Sequence, residues 1–153
     1  MKKIVRNSAK AIIILDNQLL TLKHIDAEGE WHALPGGGQR HGETLDEALR
    51  RECKEEVGVD IIVGKLRFIR EYRAWKHEFW ETEGEQHQVE FMFDCAILPG
   101  QEPNIGLVPD VGQIDIAWLP IHETQKFRLY PKVLSEQLTT ADDALLKYLG
   151  DVN

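Results

Sequence analysis

Glu52, Glu55 and Glu56 fall within five residues of a segment that carries the local marks of an amphipathic helix. Thr44 stands where an N-cap belongs, and Glu47, three residues on, completes a capping box. Asp46 and Glu47 put carboxylates in the first turn, where the helix dipole favours them. Gly58 follows the pattern at the place where a left-handed residue stops a helix. The spacing therefore predicts a helix over Thr44–Val57.

On a wheel of about 100° per residue with Leu45 at zero, Leu49, Cys53 and Ala48 lie at about 40°, 80° and 300° and form the buried stripe. Glu56 at about 20° and Glu52 at about 340° lie inside that stripe, and Glu55 at about 280° borders it. Asp46, Glu47, Arg50 and Lys54 cover the opposite face. Burying unpaired carboxylates is costly, and three of them on one face repel one another. A hard divalent cation such as Mg²⁺ or Mn²⁺, which takes carboxylate and carbonyl oxygens, relieves both problems. The alternative, a solvated acidic face, does not coincide with an apolar stripe.

Gly37, Glu43, Arg51, Glu52, Glu55, Glu56, Gly58 and apolar Val59 resemble, in register, the signature box of Nudix hydrolases, which here spans residues 37–59. The one departure is Cys53, where the family has Ile, Leu or Val; a buried thiol behaves as a small hydrophobe. The lead-in Trp31, Leu34, Pro35, Gly36 and Gly37 also resembles the family's. The resemblance implies a Mg²⁺-dependent pyrophosphohydrolase, with Mn²⁺ as a substitute, that cleaves a nucleoside diphosphate linked to a further group X. It implies Glu52 and Glu56 as main metal ligands, Glu55 as a further ligand or a base that orients water, and the Gly36 carbonyl as part of the metal shell. Arg51 would orient a catalytic carboxylate or form a plain surface ion pair, and Glu43 would brace the loop. In several relatives a base or ligand comes from a distant loop, for which Glu78, Glu81, Glu83 and Glu85 are the candidates here.

The remaining chain is expected to position this helix. At 153 residues, with 42% apolar and 29% charged residues, it reads as one domain, 1–153. A net charge of −8 argues against affinity for nucleic acid or anionic membrane, but bound metal admits a small anionic nucleotide. The start MKKIVR is basic, yet the apolar run Ala11–Leu15 is too short for export or a membrane span, and two cysteines suit a reducing cytoplasm. Strands are expected in Lys3–Leu15, Leu19–His24, around Trp31, in Asp60–Trp75, Val89–Leu98 and Ile114–Leu119. Polar loops are expected at Lys76–Gln86 and Pro99–Pro109, and closing helices within Ile121–Leu138 and Ala141–Leu149. Together these predict an α/β fold, a Nudix-type α/β/α sandwich with a mixed β-sheet.

Arg70 shares a strand face with Leu66, Phe68 and Tyr72, and points either into a phosphate or base pocket, as a substrate-binding residue, or out as a snorkelling edge residue. Trp75, Phe79 and Trp80 stack on a nucleobase or anchor loops. His77 and His87 flank the acidic loop and either contact substrate or stand as isolated surface residues. A nucleotide-pool hydrolase resembling MutT proteins leads, with ADP-ribose hydrolysis close behind. The ADP-ribose subfamily's proline is replaced by Trp75, and the dinucleoside-polyphosphate subfamily's tyrosine by Lys76 and His77. A non-catalytic nucleotide sensor is the competing class, disfavoured because all box glutamates are retained; a prenyl diphosphate isomerase is a third. Strand edges and apolar Trp/Phe positions permit a homodimer.

Overall fold

The computed structural model describes residues 2–140 and 145–153. β1 (Arg6–Leu15) turns through Asp16 and Asn17, both left-handed at φ 50° and 60°, into β2 (Gln18–Asp26). Two such residues in a row give a hairpin whose twist matches its strands. β3 (Gly29–Ala33) and the glycine strand β4 (Gly36–Gly38) lead to α1 (Leu45–Val57). β5 (Ile61–Arg73) is one long strand with irregular pairing between Val63 and Phe68. The helical turn α2 (Trp80–Glu83), set in the expected polar loop, precedes β6 (His87–Ile97) and β7 (Gln113–Pro120).

Among the described residues the strands make one mixed sheet in the order β3-β2-β1-β6-β5, with β4 joined to β1 and β7 to β2. β1 and β6 run parallel, whereas β5 and β6, β1 and β4, and β2 and β7 run antiparallel. Alternation along β1 divides the core. Ala9, Ala11 and Ile13 pack under Leu49, Cys53 and Val57 of α1, while Ile12 points the other way, to Phe68 and Met92. The 3-10 segment Ile121–Lys126 and the single turn α3 (Leu134–Gln137) cover that second face through Ile121 and Leu134. The expected sandwich is thus present, with a helix on one side and short helical pieces on the other.

The closing segments differ from expectation. Within Ile121–Leu138 the chain breaks at Phe127, and β8 (Leu129–Tyr130) pairs in parallel with β3 before α3. Pro131 follows directly and cannot donate to an extended helix or strand. Of the helix expected at Ala141–Leu149, residues 141–144 lie outside the described residues. Lys147–Asp151 is a strand, β9, which pairs in parallel with the outer edge of β5 and covers its backbone groups. No helix among the described residues is long and apolar enough to cross a membrane.

Candidate active site

The capping box holds the start of α1: Thr44 Oγ1 accepts the Glu47 N–H at 3.1 Å, and Glu47 accepts the Thr44 N–H at 2.9 Å. Gly58, at φ 70°, ends the helix. Next to the last residue of α1, Glu56 is 2% exposed, and its Oε2 accepts the Gly36 N–H at 2.9 Å. Burial pushes the Glu56 carboxyl up to about 8, against the pull of Lys10 and the Gly36 N–H. The Glu52 carboxylate lies on the glycine strand: a Cβ on Gly37 would stand 2.6 Å from its carboxyl carbon, so a larger residue there would push the carboxylate aside.

Arg51 ties this face together. Its Nε and one terminal nitrogen clasp both Glu43 oxygens at 2.6 and 3.0 Å, and that nitrogen also donates to the Gly38 carbonyl at 3.0 Å. The other terminal nitrogen donates to Glu52 at 2.7 Å and stands 3.5 Å from Glu55. The hydrogen bonds from Arg51, with the Arg40 N–H at 2.9 Å, hold the Glu43 carboxyl down at about 2. Arg51 therefore links the acids around it. The plain surface ion pair is excluded, because this guanidinium is largely shielded and serves four residues.

A loop from the far half of the chain closes the other end of α1. The Asn104, Gly106 and Val108 N–H groups donate to the Val57, Glu56 and Glu55 carbonyls, each at 3.0 Å, and Gln113 Nε2 donates to the Glu56 carbonyl at 2.9 Å. A Cβ on Gly106 would fall 2.0 Å from the Glu55 carbonyl oxygen. The loop brings Asp110 within electrostatic reach of Glu56. Asp110 Oδ2 lies 3.3 Å from Nε2 of the buried His24, whose ring stacks on Trp31 at 4.1 Å. Burial raises the Asp110 carboxyl, but His24 and the charge of Lys10 outweigh it and hold the group below its ordinary range. Of the loop acids expected from sequence, Glu78 pairs with Lys132 at 3.0 Å, Glu85 pairs with Lys3 at 2.7 Å, and Glu81 is exposed. Glu83 alone of the four lines the cavity described next. Asp110 was missed because its place depends on loop contacts across some fifty residues of chain.

On the sheet face opposite α1 lies a cavity of about 400 Å³. Lys10, Arg70, Tyr72, Gln88 and Glu90 give it a polar floor, and Trp31, Phe79 and Tyr130 give it aromatic walls. Phe79 and Tyr130 meet edge to face at 5.1 Å. Arg70 is 5% exposed, donates to Glu90 through Nε, and donates to the Val152 carbonyl at 2.6 Å. This overturns the snorkelling edge reading: opposite Glu90 in the β5–β6 register, Arg70 is pulled inward by a buried partner. Burial raises the Glu90 carboxyl, yet the charges of Arg70 and Lys10 outweigh it and hold it low. Gln88 Nε2 donates to the second Glu90 oxygen at 3.2 Å. The Tyr72 hydroxyl is buried in reach of Glu83, and burial together with that carboxylate pushes the phenol up. The alternation of β6, which sets Gln88 and Glu90 on the Met92 face, was the sequence signal for this floor.

Phe79 reaches the cavity, whereas Trp75 and Trp80 are exposed, Trp75 lying edge-on to His87. His77 is no isolated surface residue: it contacts Asp151 at 2.7 Å and stacks on Tyr72 at 5.2 Å. His87 is half-buried and stands 3.6 Å from Glu71.

Among the described residues no three acidic, histidine or cysteine side chains converge on one point, since Glu52 and Glu55 turn toward Arg51. The donor set nonetheless fits a hard divalent cation. Glu52, Glu55, Glu56 and the Gly36 carbonyl offer only oxygen, and the sealed Glu56 carboxylate has a single N–H donor.

The family model for the NUDIX domain matches residues 5–138. The chain belongs to the Nudix family. It is 37% identical over 70 residues to the nucleoside triphosphatase NudI of Enterobacter sp. (strain 638), covering 44% of this chain and 48% of that one. Similarity to NudI of Escherichia coli O139:H28 is 36% over 71 residues, 44% of this chain and 49% of the relative. The chain thus spans about half the length of the curated relatives it matches. Its fold is shared with a Nudix hydrolase from Nitrosomonas europaea, at TM-score 0.71, 19% identity, and 92% and 91% coverage of the two chains. A MutT Nudix hydrolase from Burkholderia pseudomallei superposes at TM-score 0.70 with 20% identity, covering 90% of this chain and 100% of that one. An ADP-ribose pyrophosphatase from Streptococcus suis follows at 0.63 with 14% identity, covering 95% and 99%. At these identities the likeness concerns the fold.

Proposed function

We propose that this Nudix protein is a divalent-cation-dependent pyrophosphohydrolase, which cleaves a phosphoanhydride bond of a nucleoside diphosphate linked to a group X. The observation that carries the reading is the junction at Gly36. Its N–H serves Glu56 on the helix side, and its carbonyl meets Lys10, which lines the cavity on the other side of the sheet. A nucleotide held by the aromatic walls would extend its phosphates across the glycine strand to the glutamates. NudI, a nucleoside triphosphatase by name, supports this substrate class.

Glu52, Glu56 and the Gly36 carbonyl would hold the cation, Mg²⁺ or Mn²⁺, with Glu55 as a further ligand or the base that orients water. When bound, the cation supplies charge screening, polarisation of the phosphoanhydride and acidification of water. Arg51 positions Glu52 and Glu55 through its fork on Glu43. Phe79 and Tyr130 stack on the nucleoside while the Tyr72 hydroxyl and Arg70 meet its polar edge. Water attacks the phosphorus as its proton passes to a carboxylate, and the P–O bond to the leaving phosphate breaks.

The test is phosphate or nucleotide release from nucleoside triphosphates, ADP-ribose, nucleotide sugars and dinucleoside polyphosphates, with and without Mg²⁺ or Mn²⁺, beside Glu56→Gln. Metal-dependent turnover abolished by the substitution is the expected result, and it names X. Nucleotide binding without turnover across the panel would replace the hydrolase by a sensor.

A further inference from the structure

Lys10 occupies the middle of β1, on the cavity face that it shares with Ile12. Its register partner across the β1–β4 pair is Gly36, and its Nζ donates to the Gly36 carbonyl at 3.1 Å. A Cβ on Gly36 would lie 2.8 Å from Lys10 Cα and 2.1 Å from the Ala9 carbonyl oxygen, so the two strands touch backbone to backbone here. The ammonium makes no ion pair within 4 Å among the described residues, although its charge reaches Glu56, Glu90 and Asp110. It sits at the joint between two acidic regions, on an oxygen that belongs to a cation's donor set.

We infer that Lys10 is the placeholder cation of this site. In the free protein its ammonium holds the Gly36 carbonyl and balances the buried acids around it. When a divalent cation binds, Lys10 gives up that oxygen and turns along the cavity face to a non-bridging oxygen of the nucleotide's phosphate. A compact ammonium on a flexible four-carbon stem suits such a hand-over, which a rigid guanidinium fork does not. The inference rests on the reading of the glutamate face given above.

The experiment measures Mn²⁺ binding without nucleotide, by isothermal titration at mildly alkaline pH. It then measures binding of a methylene-bridged nucleoside diphosphate analogue at saturating Mn²⁺. Lys10→Met and Lys10→Gln are compared with wild type and with Lys54→Met, a control on the exposed face of α1. Both Lys10 variants are expected to bind Mn²⁺ about ten-fold more tightly, a competing charge having gone, and the analogue about ten-fold more weakly. Glutamine keeps a donor for the Gly36 carbonyl, so agreement with methionine assigns the effect to charge. Unchanged or weaker Mn²⁺ binding in both variants, with wild-type circular dichroism, overturns the placeholder. Tighter Mn²⁺ with undiminished analogue binding overturns the phosphate contact. Wild-type protein that takes up no Mn²⁺ would sink the reading of the glutamate face itself.

Discussion

Arg51 clasps Glu43 across the start of α1 through Nε and one terminal nitrogen of its guanidinium, at 2.6 and 3.0 Å. The remaining arm reaches Glu52 at 2.7 Å, so one side chain fixes the loop before the helix and an acid on its buried face. This role requires the shape of arginine as well as its charge.

Arg51→Lys keeps the charge and loses the fork. Turnover is expected to fall about ten- to hundred-fold, with a matching rise in the metal concentration needed for half-maximal rate. Glu43→Gln should reproduce most of the loss. Steady-state rates across a Mn²⁺ titration decide the matter, and normal metal dependence in Arg51→Lys would remove it from the positioning role.

Glu56 ties stability to pH in the metal-free protein. An ordinary glutamate titrates at 4.5, and this one, buried, at about 8. The folded state therefore keeps a proton that the unfolded state loses. The stability is fully present below 4.5 and is lost as pH rises toward 8, on the order of 1 kcal/mol per pH unit. Urea denaturation in EDTA between pH 5 and 9 should show that decline in wild type, and a flatter profile with higher stability near neutrality in Glu56→Gln. Parallel profiles would mean that Glu56 is not titrating in this window. The same substitution should lower turnover by orders of magnitude.

Gly106→Ala tests the seat of the distal loop. The new methyl group would overlap the Glu55 carbonyl oxygen, 2.0 Å from it, so the loop has to lift from the helix end. A loss of about 2–3 kcal/mol in chemical denaturation is expected, with weaker Mn²⁺ binding as Asp110 moves away. Unaltered stability would show that the loop yields freely.

The Arg70–Glu90 pair is buried at 5% and 3% exposure. Removing one partner strands the other charge, so Arg70→Met and Glu90→Gln should each cost about 3–5 kcal/mol, and the double substitution far less than their sum. A double-mutant cycle by urea denaturation measures this. Additive losses would mean that the two groups are not coupled.

Much of the site was legible because its signals are local. Thr44, Glu47 and Gly58 mark both ends of α1 within its own residues, and the wheel puts Glu52 and Glu56 on the apolar stripe before any tertiary contact is known. What escaped depends on partners distant in sequence. Arg70 is ambiguous until Glu90 stands beside it on the neighbouring strand. Asp110 lies in a stretch with no periodicity, and only the seating of Asn104, Gly106 and Val108 on α1 gives it a role. Lys147–Asp151 has the composition of a weak helix but meets an open strand edge, and pairing there prevails over propensity.

The carbonyls that end α1 are satisfied by residues 104–113, roughly fifty positions downstream, and β1 pairs with β6 across about eighty positions. Contacts of such long sequence separation form late and slowly in folding. The helix that carries the glutamates can thus be written, capped at its start and even wound before the acids have their final surroundings. Assembly of the site is then the last act of folding rather than the first, and a nascent chain that ends ahead of Asn104 would carry the whole signature box without a finished site.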